Sequence, residues 1–220
     1  MSLHINDDFS LPALLNSADL PWAPSPQAGV ERRMLERIGD EVARATSLVR
    51  YGPRSRFPAH RHDLGEEFLV LDGVFSDEHG DYPTGTYVRN PPGTSHAPHT
   101  ELGCTIFVKL RQMLAEEQTR LVVPYQAGWR GETLADGRER RLLHACAFGR
   151  EVVAMERVPA GWIEPAMLAP HGVEALILEG SLYLHGSVWP QGSWLRLPAG
   201  SISRLHSPEG ATYWVKRGHL

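Results

Sequence analysis

Short apolar runs bounded by turn residues recur along the chain. The clearest is Phe68-Leu69-Val70-Leu71, followed by Asp72-Gly73; it predicts a strand closed by a turn. On that strand Glu66 shares the parity of Phe68 and Val70, and Glu67 points to the other face. Pro91-Pro92-Gly93 predicts a rigid turn between two further strands. The 21 glycines and 17 prolines are spread among such runs, which favours an all-β chain with many turns. Residues 1–20 show little periodicity. Phe9 and Leu11 alternate as a strand would, and Pro12 argues for an edge position. Such an arm adds a strand to a neighbouring sheet, in a partner subunit or in the other half of this chain. Leu110 to Arg120 reads as a polar connector with one helical turn, followed by the apolar Leu121-Val122-Val123.

The pattern is written twice. Glu66-Glu67-Phe68-Leu69-Val70-Leu71-Asp72-Gly73 matches Val173-Glu174-Ala175-Leu176-Ile177-Leu178-Glu179-Gly180, an offset of 107 residues between Gly73 and Gly180. The same offset joins Gly85 to Gly192, Pro91 to Pro198, Gly93 to Gly200, Gly103 to Gly210 and Lys109 to Lys216. Upstream, Trp22 and Gly29-Val30-Glu31-Arg32-Arg33 correspond to Trp129 and Gly137-Arg138-Glu139-Arg140-Arg141. A constant offset across so many turn residues means one supersecondary plan built twice. The expected domains are residues 1–115, with the arm, and residues 116–220.

Only the first copy carries a set of metal-binding side chains: His60, His62, Glu66 and His96. His60 and His62 are two apart, so an extended strand turns both to one face, roughly 6.6 Å apart along the chain. Three imidazoles and a carboxylate suit Zn, Fe, Mn, Ni or Cu and are too nitrogen-rich for Ca or Mg. At the offset of 107, the second copy has Met167, Ala169, Val173 and Ser203. The turn glycines and prolines persist there while the ligands do not. The ligands are therefore separable from the fold. His171, His185 and His206 are scattered in the second half and read as surface or hydrogen-bonded residues.

These motifs resemble those of the cupin superfamily. The first runs His60-Arg61-His62, three residues, Glu66, six residues, Gly73; the second runs Gly85, five residues, Pro91-Pro92-Gly93, two residues, His96. Gly52 stands two residues farther from His60 than usual, and Thr100 replaces an asparagine that often follows the last histidine. The surrounding text is most similar to the cupin-like domain of ChrR-type anti-sigma factors; the acetylacetone-cleaving dioxygenases are a more distant resemblance. The resemblance implies a bicupin of two tandem double-stranded β-helix (jelly-roll) barrels, the second degenerate. It also implies one divalent transition metal, zinc first, and a thiol near it at Cys104, on the strand after His96. Its counterpart is Ala211, so the copy does not need a thiol there, and a small buried apolar residue is the expected reading ahead of a redox role.

The ChrR resemblance brings a sigma factor in as a partner. Residues 1–50 contain no cysteine and are used by the first repeat, so the familiar route to a sigma factor is not expected. The first functional reading is a zinc-binding sensory or small-ligand module, with a small molecule or an oxidant as its signal. The alternative is a mononuclear iron dioxygenase acting on a small dione or enol-type compound. Tyr87, Arg89 and His99 are further candidates for contact behind the metal or with substrate. Trp194, Arg196 and His206 hold the matching places in the metal-free copy, which favours structural roles.

Composition narrows the field. The net charge of −4 and the absence of a basic block argue against nucleic acid. No apolar run reaches membrane-spanning length and no leader stands at the N-terminus, so a cytoplasmic protein is expected. Two cysteines, Cys104 and Cys146, do not make a disulfide scaffold. Sheet edges need cover, and a homodimer is the expected association.

Overall fold

The computed structural model describes residues 2–124 and 131–220; Trp129, used in the repeat comparison, lies outside them. Among the described residues the regular elements are all strands, apart from one 3-10 turn at Ser17–Asp19. No helix among them is long and apolar enough to cross a membrane. The chain divides into two compact units, Met1–Asp7 with Leu20–Ala127, and Asp8–Asp19 with Gly128–Leu220.

In the first unit the sheet has nine strands; seven follow in the order His4–Ile5, Val30–Ile38, Arg44–Tyr51, Cys104–Leu110, Glu66–Asp77, Tyr87–Asn90, Leu121–Val123, with Ala23–Pro24 beside Val30–Ile38 and Gly80–Pro83 beside Glu66–Asp77. A second, two-stranded sheet pairs His60–Arg61 with Ser95–His96. All these pairings are antiparallel, and side-chain alternation puts Phe68, Val70, Phe75, Tyr82, Val88, Ile106 and Val108 into one core. Burial of each such side chain contributes about 1.5–3 kcal/mol. The second unit repeats the plan around Ala154, Ala175, Ile177, Leu182, Leu195, Tyr213 and Val215.

Asp72-Gly73 does not end the strand. Glu66–Asp77 continues for 12 residues, and the turn falls at Glu78-His79, where Asp77 pairs with Gly80. Opposite Cys104–Leu110 the register steps from Val70↔Ile106 to Asp72↔Thr105, so Leu71 is a bulge residue. Gly73 takes φ 73°, and a Cβ there would run into the Gly103 carbonyl oxygen. Gly180 repeats this against Gly210 at φ 70°. The glycine thus bends a continuous hairpin rather than closing it. The bend carries Phe75 and Asp77 towards the histidines.

The arm expected to add a strand does so within the chain. Ala13–Asn16 pairs with Ser193–Leu197, Leu14 opposite Leu195, and belongs to the second unit. The strand itself begins after Phe9 and Leu11, at Ala13. Leu121–Val123 makes the equivalent pairing with Tyr87–Asn90 in the first unit. The repeat boundary near residue 115 is therefore a boundary in sequence, and the compact units are drawn by these edge strands. The connector before Leu121 holds a turn, with the Glu117 amide donating to the Leu114 carbonyl, in place of the expected helical turn.

Candidate metal centre

Local backbone chemistry brings the four ligand-type residues together. Thr94 donates its amide to the Pro91 carbonyl across a turn in which Gly93 has φ 88°, the conformation that requires glycine at the third turn position. The turn delivers Ser95–His96 antiparallel to His60–Arg61, with His96 opposite His60. His62 is fixed by its amide to Thr94 O (2.8 Å) and its carbonyl to Gly93 N (2.7 Å). Glu66 opens the long strand opposite Asn90. Ligand atoms from His60, His62, Glu66 and His96 all lie within 4.8 Å of one another. His62, Glu66 and His96 are buried and His60 is half-buried.

Hydrogen bonds behind the rings set their tautomers. His60 Nδ1 lies 3.1 Å from the Pro58 carbonyl, which can only accept. His96 Nδ1 lies 3.1 Å from Asp77 Oδ2, a carboxylate. His62 Nδ1 lies 3.0 Å from Thr94 Oγ1, whose own proton goes to the Pro91 carbonyl at 2.7 Å. Each Nδ1 therefore carries the hydrogen, and each Nε2 presents a lone pair to the centre. The Nε2 atoms of His62 and His96 are buried without a hydrogen-bond partner among the described residues, and both stand 3.4 Å from Glu66 Oε2. Lone pairs and an anionic oxygen converge there with no hydrogen between them. A cation satisfies that arrangement, and leaving it unmet costs about 1–3 kcal/mol per buried group. The donor set, three nitrogens and one oxygen, fits a late first-row metal.

Electrostatics separate the two buried histidines. Burial lowers the pKa of His62, outweighing the opposing pull of Glu66. Burial acts the same way on His96, yet the bond to Asp77 and the charge of Glu66 raise it overall. The difference is the partner: a carboxylate behind His96, a hydroxyl behind His62. Burial would raise Glu66, but His62, His96 and His60 hold it below the ordinary carboxylate value. Burial likewise opposes ionisation of Asp77, and bonds from His96, the His79 amide and Tyr82 bring it down to about 2.

Several supporting residues were not anticipated from the sequence. Asp77 accepts from the Tyr82 hydroxyl (2.9 Å) and the His79 amide (2.8 Å). Asn90 donates to Glu66 Oε2 at 3.1 Å. Arg120 donates to Asn90 Oδ1 (3.1 Å) and to the Tyr82 hydroxyl (2.5 Å), joining the supports of Glu66 and His96. Their counterparts at the repeat offset are Leu184 for Asp77, Trp189 for Tyr82, Leu197 for Asn90 and Ala13 for Arg120. That polar-to-apolar contrast was a signal available in the sequence, since the copy without ligands also lacks their supports.

The other sequence candidates fall elsewhere. Tyr87 and Arg89 lie on the face opposite Glu66, where the Tyr87 hydroxyl (2.5 Å) and Arg89 Nη1 (2.7 Å) donate to Glu67 Oε2. Arg89 also reaches Glu117 at 2.5 Å. The second unit has the same feature, with Trp194 Nε1 donating to Glu174 at 2.7 Å, so this is a structural network common to both barrels. His99 is outside the cluster and bridges Ser76 through its backbone, as His206 bridges Tyr183. Cys104 is a buried core residue beside Val70 and Ile106, and burial pushes its thiol up to about 12. Such a thiol stays protonated and unreactive at neutral pH.

Two antiparallel barrels built on one repeat, with a three-histidine, one-glutamate cluster inside the first, define a bicupin. Residues 11–114 and 117–220 each match the family model of the ChrR cupin-like domain, and the chain belongs to that family. A search of curated proteins finds no match. Among solved structures, a Nostoc punctiforme protein provisionally assigned as a dioxygenase is 13% identical, with TM-score 0.76 over 96% of this chain and 84% of that one. The Escherichia coli pirin YhhW, crystallised with nickel(II), is 11% identical, with TM-score 0.70 over 95% and 99%. A deletion mutant of Bacillus subtilis oxalate decarboxylase is 11% identical, with TM-score 0.63 over 94% and 76%. At these identities the likeness is one of fold.

Proposed function

We propose that His60, His62 and His96, through Nε2, and Glu66, through a carboxylate oxygen, hold one metal ion, and that the first barrel is a mononuclear oxygenase for a small dione or enol-type compound. The observation that carries this reading is the uneven exposure of the cluster: three residues are buried, and His60 is half-buried. A small molecule approaches from the His60 side. Ferrous iron, when bound, supplies open coordination positions for dioxygen and a bidentate substrate. The chain itself holds the imidazoles in one tautomer through Pro58, Thr94 and Asp77, and keeps Glu66 ionised with Asn90 and the histidines. Phe57 and Phe75 pack 5.1 Å from His60 and 5.8 Å from His96, ring centre to ring centre, and the buried Phe75 closes the inner side. The provisional dioxygenase assignment of the Nostoc neighbour supports this reading at the level of fold.

A second reading is favoured by the family itself, whose description is that of the ChrR domain. Here the ion is zinc, all four ligands close on it, and the role is sensory or regulatory, with a sigma factor as partner. The buried, protonated Cys104 then takes no part, and any response to oxidants rests on the metal centre. Under either reading we expect a homodimer, and light scattering that gives a monomer would remove that expectation.

Metal content and oxygen uptake separate the readings. Protein purified without chelators or a histidine tag is compared with a His60→Ala, His96→Ala double variant. Iron near one per chain, absent from the variant, with oxygen consumed on adding small diones, supports the enzyme. Zinc near one per chain without oxygen uptake supports the regulatory centre. No metal in the unaltered protein defeats both.

A further inference from the structure

The second barrel has lost the metal ligands, yet its interior keeps a carboxylate with an unmet acceptor. Glu164, 3% exposed, stands at the repeat position of Phe57. Its Oε2 accepts from the Ser203 hydroxyl (2.8 Å) and the Leu205 amide (3.0 Å). Its Oε1 is buried and has no hydrogen-bond partner among the described residues. Glu164 and Ser203 line a cavity of about 20 Å³, walled also by Met167, Val173, Leu195 and Tyr213. Met167 and Ser203 are the counterparts of His60 and His96, so the cavity sits where the first barrel gathers its imidazoles.

A second depression, of about 170 Å³, shares Met167, Val173, Ser203 and Arg217 with the first and has Arg150 and His171 in its lining. Arg217 is neutralised by two bonds to Glu156, at 2.8 and 3.0 Å. Arg150 contacts His171 at 2.9 Å and has no carboxylate partner among the described residues. The inner end of the combined space is therefore anionic and narrow, and the outer end carries an unpaired cation. About 20 Å³ accommodates one water-sized group. An ammonium fits that size and meets the free oxygen of Glu164; a carboxylate would be repelled from it.

We propose that the second barrel binds a short amino acid at this site, its ammonium seated beside Glu164 and Ser203 and its carboxylate directed to Arg150. This site is separate from the four-ligand cluster and stands whether that cluster is catalytic or regulatory. Calorimetric titration and thermal shift of the full chain with glycine, β-alanine and 4-aminobutyrate test it, with propylamine and propionate as half-ligands. At least one of the three amino acids should bind and raise the melting temperature, and propionate alone should not. Glu164→Gln, which keeps the shape and the Ser203 bond, should weaken binding at least about tenfold, as befits loss of a buried charge-assisted bond. Arg150→Ala should weaken the amino acids and leave propylamine unchanged. Met167→Trp, which fills the shared wall, should abolish binding with Glu164 in place; circular dichroism and metal content check that each variant is folded. If no amine binds, Glu164 is met by an enclosed water and the proposal fails. Binding that survives both Glu164→Gln and Met167→Trp also overturns it.

Discussion

Asp77 Oδ2 lies 3.1 Å from His96 Nδ1, and neither residue is kept at its repeat position in the other barrel. The counterpart of Asp77 there is Leu184, itself a buried core residue. The pairing fixes the ring, raises its basicity and turns Nε2 to the centre. Asp77→Asn should therefore reduce metal affinity by about 10–100-fold, and Asp77→Leu by more. Competition titration against a chromophoric chelator measures both. Wild-type affinity in Asp77→Leu would show that the ligands need no orientation from behind.

Arg120 joins the Asn90 amide to the Tyr82 hydroxyl, and so couples the supports of Glu66 and His96. It touches no ligand itself, so its removal should cost less than that of Asp77. Arg120→Ala should lose about 1 kcal/mol of metal-binding free energy, roughly fivefold in affinity. The same titration reads it, with Arg204→Ala as an unrelated arginine control. Equal affinities would mean that Asn90 and Tyr82 hold their places unaided.

Cys104 lies between Tyr51 and Gly73 in the sheet register, and burial holds its thiol up to about 12. Maleimide at neutral pH should leave it unlabelled in the folded protein and label it fully in denaturant, as peptide mass spectrometry would reveal. Cys104→Ala restores the residue of the second copy and should cost about 1 kcal/mol of stability without changing metal content. Rapid labelling in the native state, or metal lost on labelling, would reinstate a redox thiol.

Glu156, 1% exposed, receives Arg217, Arg138 (3.2 Å) and the Tyr213 hydroxyl (2.9 Å) inside the second barrel. Burial would raise its pKa, but Arg217 and Arg138 bring it below the ordinary value. A folded-state value below the unfolded one contributes stability above the unfolded pKa, near 4.3, and loses it as pH falls towards the folded value. Glu156→Gln leaves Arg217 without its carboxylate, while Arg138 keeps Asp136 at 2.8 Å, and should cost about 3 kcal/mol at pH 7. The gap between the two proteins should close as the pH drops below about 4. A gap constant with pH would assign the effect to packing.

The repeat and the cluster were readable because both rest on spacing. Turn glycines obey backbone sterics wherever they stand, so Gly73 and Gly180 mark one plan twice, and two histidines two apart on an extended chain share a face. Spacing says less about which strand a segment joins. The arm carries an edge-strand pattern, but only tertiary pairing placed Ala13–Asn16 against Ser193–Leu197. Asp72-Gly73 has the composition of a turn; the carbonyl of Gly103, thirty residues on, makes it a bulge.

The candidate set His60, His62, Glu66 and His96, and the absence of its equivalents from the second copy, were legible in the sequence alone, because the capacity to bind a metal belongs to residue type and the second copy is an internal control. Tertiary structure decided what stands behind them. Asp77, Asn90, Thr94 and Arg120 come from four different segments and meet only when the hairpin bends and the connector returns. It also decided that Tyr87 and Arg89 face away and that Cys104 is buried. Burial and hydrogen bonding are properties of neighbours, and neighbours distant in sequence are settled by the fold.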